Sequence, residues 1–360
     1  MDRFPEGSAL VYCEGAYGTP NGKTAHGLVR RTLRYQVQGV IDSARAGEDA
    51  GTVIDDRPSG IPIYKDLEQG FALLVEQDKP VTHFVIGLAP DGGRLAAADR
   101  EAVKEALFLG LNVDSGLHDF LTEDPELVSL AEENGLSIRD VRKPPPRDSL
   151  HFFSGKIEDV KSFKLAVLGT DSAVGKRTTA WIMVEAFNAH GHKAELIGTG
   201  QTAWMQGARY GFVLDSCIND FVSGEIEHAV WSAWSDVRPD VIILEGQGSL
   251  MNPAYPGGFE LLAAGRPDAV VLQHAPGRKD YDGFPGYPIQ PIERQIQAIE
   301  VISGKPVVAI CVNHENLTPD DMHKACLDLS SRTGLVAADV LREGPSRLLQ
   351  VLCPLIPQTR

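Results

Sequence analysis

Short apolar runs alternate with stretches of helical periodicity along the whole chain, a pattern that predicts parallel sheets covered by helices. In the first part the expected strands are Ala9–Cys13, Val37–Asp42, Ile61–Tyr64, His83–Leu88 and Leu111–Val113. The helix-like stretches between and after them are Gly27–Tyr35, Leu67–Glu76, Ala96–Leu109 and Pro125–Glu133. Within Arg142–Asp148, the prolines at 144, 145 and 146 remove three backbone donors, so neither a helix nor a central strand can pass. The expected division is a first domain over 1–143, a proline-rich linker and lead-in over 144–160, and a second domain over 161–360.

The alternation then restarts. Strand Lys164–Gly169 precedes a Gly-rich turn and a helix from about Arg177 to Ala189. Strand Lys193–Ile197, a polar loop, a helical stretch around Glu225–Trp234 and strand Val241–Glu245 follow. Strands Ala269–Gln273 and Val307–Val312 flank a helix over Ile292–Ile302, and helical stretches after Pro319 and Arg342 complete the chain.

A chain of 360 residues is long for one core, which favours two domains. With 43% hydrophobic and 23% charged residues the composition is that of a folded globular protein. The net charge of −15 disfavours nucleic acid and anionic membrane surfaces as partners and leaves small molecules as the expected ligands. Five cysteines (Cys13, Cys217, Cys311, Cys326 and Cys353) show no CxxC spacing, and their odd number forbids complete pairing. No basic leader or membrane-spanning run is present, so a reduced, cytoplasmic chain is expected, assembled as a homo-oligomer.

The chemistry concentrates after strand Lys164–Gly169. Gly169-Thr170-Asp171-Ser172-Ala173-Val174-Gly175-Lys176-Arg177-Thr178 joins that strand to a helix, the setting in which successive backbone N–H groups and a lysine cradle a phosphate. Two features depart from the usual P-loop spacing: five residues separate Gly169 from Gly175, and Arg177 stands where a Ser or Thr would hold Mg²⁺. The extra cation and the displaced hydroxyl suit gripping a phosphate better than cleaving one. The fold expected is therefore α/β, with a Rossmann-like amino-terminal domain followed by a P-loop NTPase-like domain of mostly parallel sheet.

Strand Val241–Glu245 ends in Glu245-Gly246-Gln247-Gly248-Ser249, at the sheet edge where α/β proteins bind ligands. Glu245 is a candidate metal ligand, proton acceptor or turn cap. GTDSAVGK followed by LEGQGS resembles dethiobiotin synthetase, which implies Mg-ATP as ligand and an ATP-dependent ligase or kinase as one alternative. A broader resemblance spans Gly22–Ala25, Gly200–Thr202, Asp220–Glu225, Glu245–Ser249 and Pro276–Arg278, and is to the D-glutamate N-acetyltransferase family. That resemblance implies acetyl transfer from acetyl-CoA to the amine of a D-amino acid. The first domain is also similar to the CoA-binding domains of acyl-CoA synthetases through GIPIYKDLEQ. A non-catalytic nucleotide or CoA sensor is a third alternative.

An amine acceptor arrives as an ammonium and must lose a proton before it attacks. Asp220, Glu245 and His274 are the candidate catalytic groups, and Asp215 and Glu225 are further acids for the substrate amine. Gln201, Thr202, Gln247 and Ser249 offer neutral hydrogen bonds, Arg278 a clamp for a substrate carboxylate, and Lys23, before the first helix, an anion contact. Asn313, beyond strand Val307–Val312, is a candidate to read the ligand's base, and Asp42 a candidate ribose contact. No His/Cys cluster has zinc spacing, so no metal ligands are assigned.

Overall fold

Ala9, Leu10 and Val11 are wholly buried in β1 (Gly7–Tyr12), and a strand covered on both faces needs such a continuous apolar run. The computed structural model describes residues 4–357. After β1 come α1 (Lys23–Arg30), β2 (Tyr35–Ile41), α2 (Ala50–Asp55), β3 (Ile63–Tyr64) and α3 (Leu67–Glu76). They are followed by β4 (His83–Ile86), α4 (Ala97–Phe108), β5 (Asn112–Ser115), α5 (Pro125–Glu133) and β6 (Ile138–Asp140). The strands pair in parallel in the order β3-β2-β1-β4-β5-β6, the Rossmann order, which reverses between β1 and β4.

Two expectations shift here. The helix expected over Gly27–Tyr35 starts at Lys23, just behind a 3-10 turn opened by Pro20, and ends before Arg31, which is extended (φ −167°) on its way into β2. Asp42 is not offered to a ribose: it is buried, and its carboxylate accepts the Tyr17 N–H at 2.8 Å and the Ala44 N–H at 2.9 Å.

The second sheet begins with β7 (Phe163–Gly169), α6 (Lys176–Ala189) and β8 (Ala194–Gly198). The chain divides into two compact units, and α7 (Gln201–Met205) belongs to the first of them. That unit takes Gln201–Ala208 in addition to residues up to Pro144, and the second holds Pro145–Gly200 and the chain from Arg209. The stretch expected as a polar loop of the second domain is thus a helix of the first unit. Met205 is wholly buried in that unit's core, and Thr202 Oγ1 lies 2.9 Å from Thr24 Oγ1. Gln206 donates to the carbonyls of Gly27 and Arg31, and the Arg34 guanidinium stacks 3.7 Å over the Trp204 ring.

The second unit continues with β9 (Tyr210–Gly211), α8 (Asn219–Val237), β10 (Val241–Glu245), α9 (Phe259–Gly265) and β11 (Ala269–His274). Then come α10 (Ile292–Ser303), β12 (Val307–Val312), α11 (Pro319–Thr333), β13 (Val336–Ala338), α12 (Val340–Glu343) and α13 (Ser346–Leu352). Its sheet is parallel throughout, in the order β13-β12-β11-β7-β10-β8-β9, with β7 buried along its full length. The lead-in to β7 is fastened to α8. Glu225 accepts the His151 N–H at 2.6 Å, and Glu227 accepts from Ser154 N, Ser154 Oγ and Ile157 N. Gly224 permits this contact, since a Cβ there would fall 1.9 Å from the His151 carbonyl oxygen. Among the described residues, no helix is long and apolar enough to cross a membrane.

Candidate anion-binding site

Strands β7, β10, β11 and β12 lie side by side in register, so their carboxyl ends bring Gly169, Glu245, His274 and Asn313 to one edge of the second unit. The loop from Gly169 to α6 crosses this edge. Its backbone is left-handed at Ala173 (φ 51°) and Gly175 (φ 103°). Lys176 folds back over the leading glycine: a Cβ at Gly169 would lie 2.9 Å from Lys176 Cδ, and Lys176 Nζ donates to the Asp171 carbonyl at 2.6 Å. A side chain at Gly169 would therefore crowd the path of the lysine.

Asp171 organises the loop. It has no exposed surface, and its Oδ1 accepts the Ser172 N–H at 2.7 Å and Asn252 Nδ2 at 2.8 Å. Its Oδ2 accepts Arg278 Nη1 at 3.0 Å and the Asp282 N–H at 2.9 Å. Arg278 also donates to the carbonyls of Ser172 at 2.8 Å and Ala173 at 3.4 Å, and pairs with the Glu315 carboxylate at 2.7 Å. Burial disfavours the guanidinium's charge, but Glu315 and Asp171 hold its pKa above the ordinary value. Arg278 was expected to clamp a substrate carboxylate; its donors are instead committed to the loop and to Glu315.

Asn313 is committed as well, and is not placed to read a base. Its Nδ2 donates to the Val174 carbonyl at 2.9 Å, and its Oδ1 accepts the Glu315 N–H at 2.9 Å. Thr179 donates to Gln273 Oε1 at 2.6 Å, and Thr178, the residue before it, is half-buried. Among the described residues, the N–H groups of Ala173, Val174 and Gly175 have no protein partner. With the first N–H groups of α6 they are the donors that an anion at this edge would meet.

Glu245 is buried at the end of β10, where its Oε2 accepts the Thr199 N–H at 3.2 Å. Burial raises its pKa, opposed by the nearby charges of Arg177 and Lys176. His274 Nδ1 lies 2.9 Å from Thr170 Oγ1, and burial lowers its pKa to about 4, so the ring is neutral near pH 7. Gln247 donates to Thr199 Oγ1 at 2.9 Å. Ser249 is buried, its hydroxyl has no partner among the described residues, and it lines a narrow depression with Gly169, Gln247, Leu250 and Ile299.

Asp220 is exposed in the first turn of α8, and Asp215 is exposed before it. Glu225 is taken up by His151, while Gln201, Thr202 and Lys23 belong to the first unit. What sequence reasoning missed is the set that fastens the loop: Asn252, Asp282, Gln273 and Glu315. Its one visible signal was the acid inside the loop, Asp171, lying upstream of a Pro-Gly-Arg turn.

Residues 151–349 match a family described as a domain of unknown function, the DUF1611 carboxyl-terminal P-loop domain, and residues 43–144 match its amino-terminal Rossmann-like domain. The chain belongs to the DUF1611 family. The DUF1611 chain is 32% identical over 274 residues to a D-glutamate N-acetyltransferase of Tritonibacter scottomollicae, covering 74% of this chain and 80% of that protein. It is 33% identical over 277 residues to one from a Pseudoalteromonas species, covering 75% and 81%. A crystal structure of a DUF1611 family protein from Anabaena variabilis superposes with a TM-score of 0.87 at 28% identity, covering 96% of this chain and 99% of that one. The family resemblance read from the motifs and the Rossmann-like plus P-loop architecture are both borne out.

Proposed function

We propose that this protein transfers an acetyl group from acetyl-CoA to the amine of a D-amino acid, D-glutamate being the leading substrate. The observation that carries the reading is a P-loop with three partnerless N–H groups and Lys176, but with Arg177 at the position of the Mg²⁺-binding hydroxyl. Such a loop holds a phosphate of coenzyme A by backbone dipoles and fixed positive charge. The curated relatives named D-glutamate N-acetyltransferase support the reaction class.

In this mechanism the substrate ammonium first gives a proton to a carboxylate. Glu245 suits that role better than Asp220, because burial lifts its pKa and raises its basicity, whereas Asp220 is exposed in the first turn of α8. The free amine attacks the thioester carbonyl carbon. The C–N bond forms, the C–S bond breaks, and the CoA thiolate leaves and takes up the proton that the acylated nitrogen sheds. The unpartnered Ser249 hydroxyl and Gln247 supply neutral hydrogen bonds beside the loop. The neutral His274 orients Thr170 rather than carrying the proton.

The test is incubation with D-glutamate and either acetyl-CoA or MgATP. Thiol release that depends on D-glutamate supports the reading; ADP release without thiol contradicts it.

A further inference from the structure

Three successive peptide units of the loop have their carbonyls held by side chains of other loops. Arg278 Nη1 takes the Ser172 carbonyl at 2.8 Å, Arg278 Nη2 takes that of Ala173 at 3.4 Å, and Asn313 Nδ2 takes that of Val174 at 2.9 Å. In a planar trans peptide the C=O and the following N–H point in opposite directions. Fixing these three carbonyls therefore turns the N–H groups of Ala173, Val174 and Gly175 to the other side, and these are the groups with no protein partner.

We infer that Arg278 and Asn313 are positioning residues that hold the phosphate loop in its anion-accepting form by clamping its carbonyls from behind. The inference rests on the reading of the loop as a phosphate cradle and gives a different task to two residues, Arg278 expected on the substrate carboxylate and Asn313 on the ligand's base.

The clamp is itself braced. Asp171 and Glu315 each accept from the Arg278 guanidinium, and Asn313 Oδ1 accepts the Glu315 N–H, so both clamping side chains converge on Glu315. The left-handed Ala173 explains the need. A non-glycine residue at φ 51° is disfavoured intrinsically, and its peptide planes keep that orientation only when the surroundings impose it. Lysine cannot replace this arginine. It keeps the charge but cannot reach two carbonyls and two carboxylates at once.

Calorimetric titration of the full-length protein with CoA, and separately with inorganic pyrophosphate, tests the clamp whether or not acetyl transfer occurs. Arg278→Lys and Asn313→Ala should each weaken binding about 10- to 100-fold, the loss expected when hydrogen bonds to a charged group are misaligned. With acetyl-CoA the KM should rise similarly, while the KM for acetylpantetheine, which lacks the nucleotide phosphates, stays unchanged. Arg278→Lys binding within twofold of wild type would show that charge alone suffices and would overturn the clamp, as would equal KM increases for the two donors. Should Arg278→Lys fail to fold, Asn313→Ala carries the same prediction. Wild-type binding of pyrophosphate but not CoA would defeat the proposed donor and still leave the clamp measurable.

Discussion

Asp171 accepts four hydrogen bonds with no exposed surface, two at each carboxylate oxygen, and Asp171→Asn disturbs them with almost no change in shape. An amide keeps one acceptor and converts the other into a donor. That donor faces either the Ser172 N–H and Asn252 Nδ2, or Arg278 and the Asp282 N–H. Each buried donor left without an acceptor costs about 1–3 kcal/mol. If the Arg278 side is the one lost, removing a carboxylate from a largely buried ion pair costs on the order of 3–5 kcal/mol, moderated here because Glu315 remains. With two donors left facing a donor in either orientation, a total of about 2–6 kcal/mol is expected. For a unit of this size each kcal/mol moves the melting midpoint by about 2–4 °C, so the second unit should melt roughly 4–24 °C lower. Differential scanning calorimetry reads this directly, with CoA titration as the parallel measure of the loop. A midpoint within about 2 °C of wild type and unchanged CoA affinity would refute Asp171 as the organiser of the loop.

Other substitutions probe the remaining supports. His274 has a folded pKa of about 4, below its unfolded value near 6.5, so the unfolded chain binds the proton first as pH falls. Its contribution is intact above about pH 6.5 and declines toward pH 4 by up to about 3 kcal/mol, and urea titrations should show that His274→Gln escapes this loss. Burial opposes the charge of Glu227, but the N–H groups of Ser154 and Ile157 more than compensate and lower its pKa. The stabilisation is therefore present above the unfolded pKa of about 4.3 and lost as pH falls through the folded value. Glu227→Gln should cost about 1–3 kcal/mol at pH 7, with the gap to wild type closing in acid-titrated urea melts. Gln206→Ala should destabilise the first unit by about 1–3 kcal/mol, because the carbonyls of Gly27 and Arg31 lose their side-chain donor; native-state hydrogen exchange in α1 and α7 reads it.

The two sheets were legible because their strands are buried on both faces and appear as unbroken apolar runs: Val241–Glu245 and Val307–Val312 fall where the periodicity puts them. β6 and α2 were not, since Ile138–Asp140 is a half-buried edge strand and Ala50–Asp55 is too short to show a period. The phosphate loop declares itself through local chain chemistry, a strand, glycines and a lysine at a helix start. The commitments of Arg278, Asn313 and Asp171 could not be read, because they arise where separate loops meet and a one-dimensional pattern does not record that meeting. Likewise Gly-Thr-Gly-Gln-Thr reads as a turn beside a ligand. Its last two residues begin α7, whose place is fixed by Thr24, Gly27 and Arg31, more than 170 positions away in sequence.

Acetyl-CoA labelled with ¹³C at the thioester carbonyl, mixed with D-glutamate and the full-length protein in excess EDTA, puts the central claim to its most direct trial by NMR. On the proposal that the loop grips phosphate through N–H groups, Lys176 and Arg177, without Mg²⁺, the label should appear in an amide carbonyl at the rate seen without chelator. No amide signal until MgATP is supplied, with ADP formed alongside it, would contradict the account.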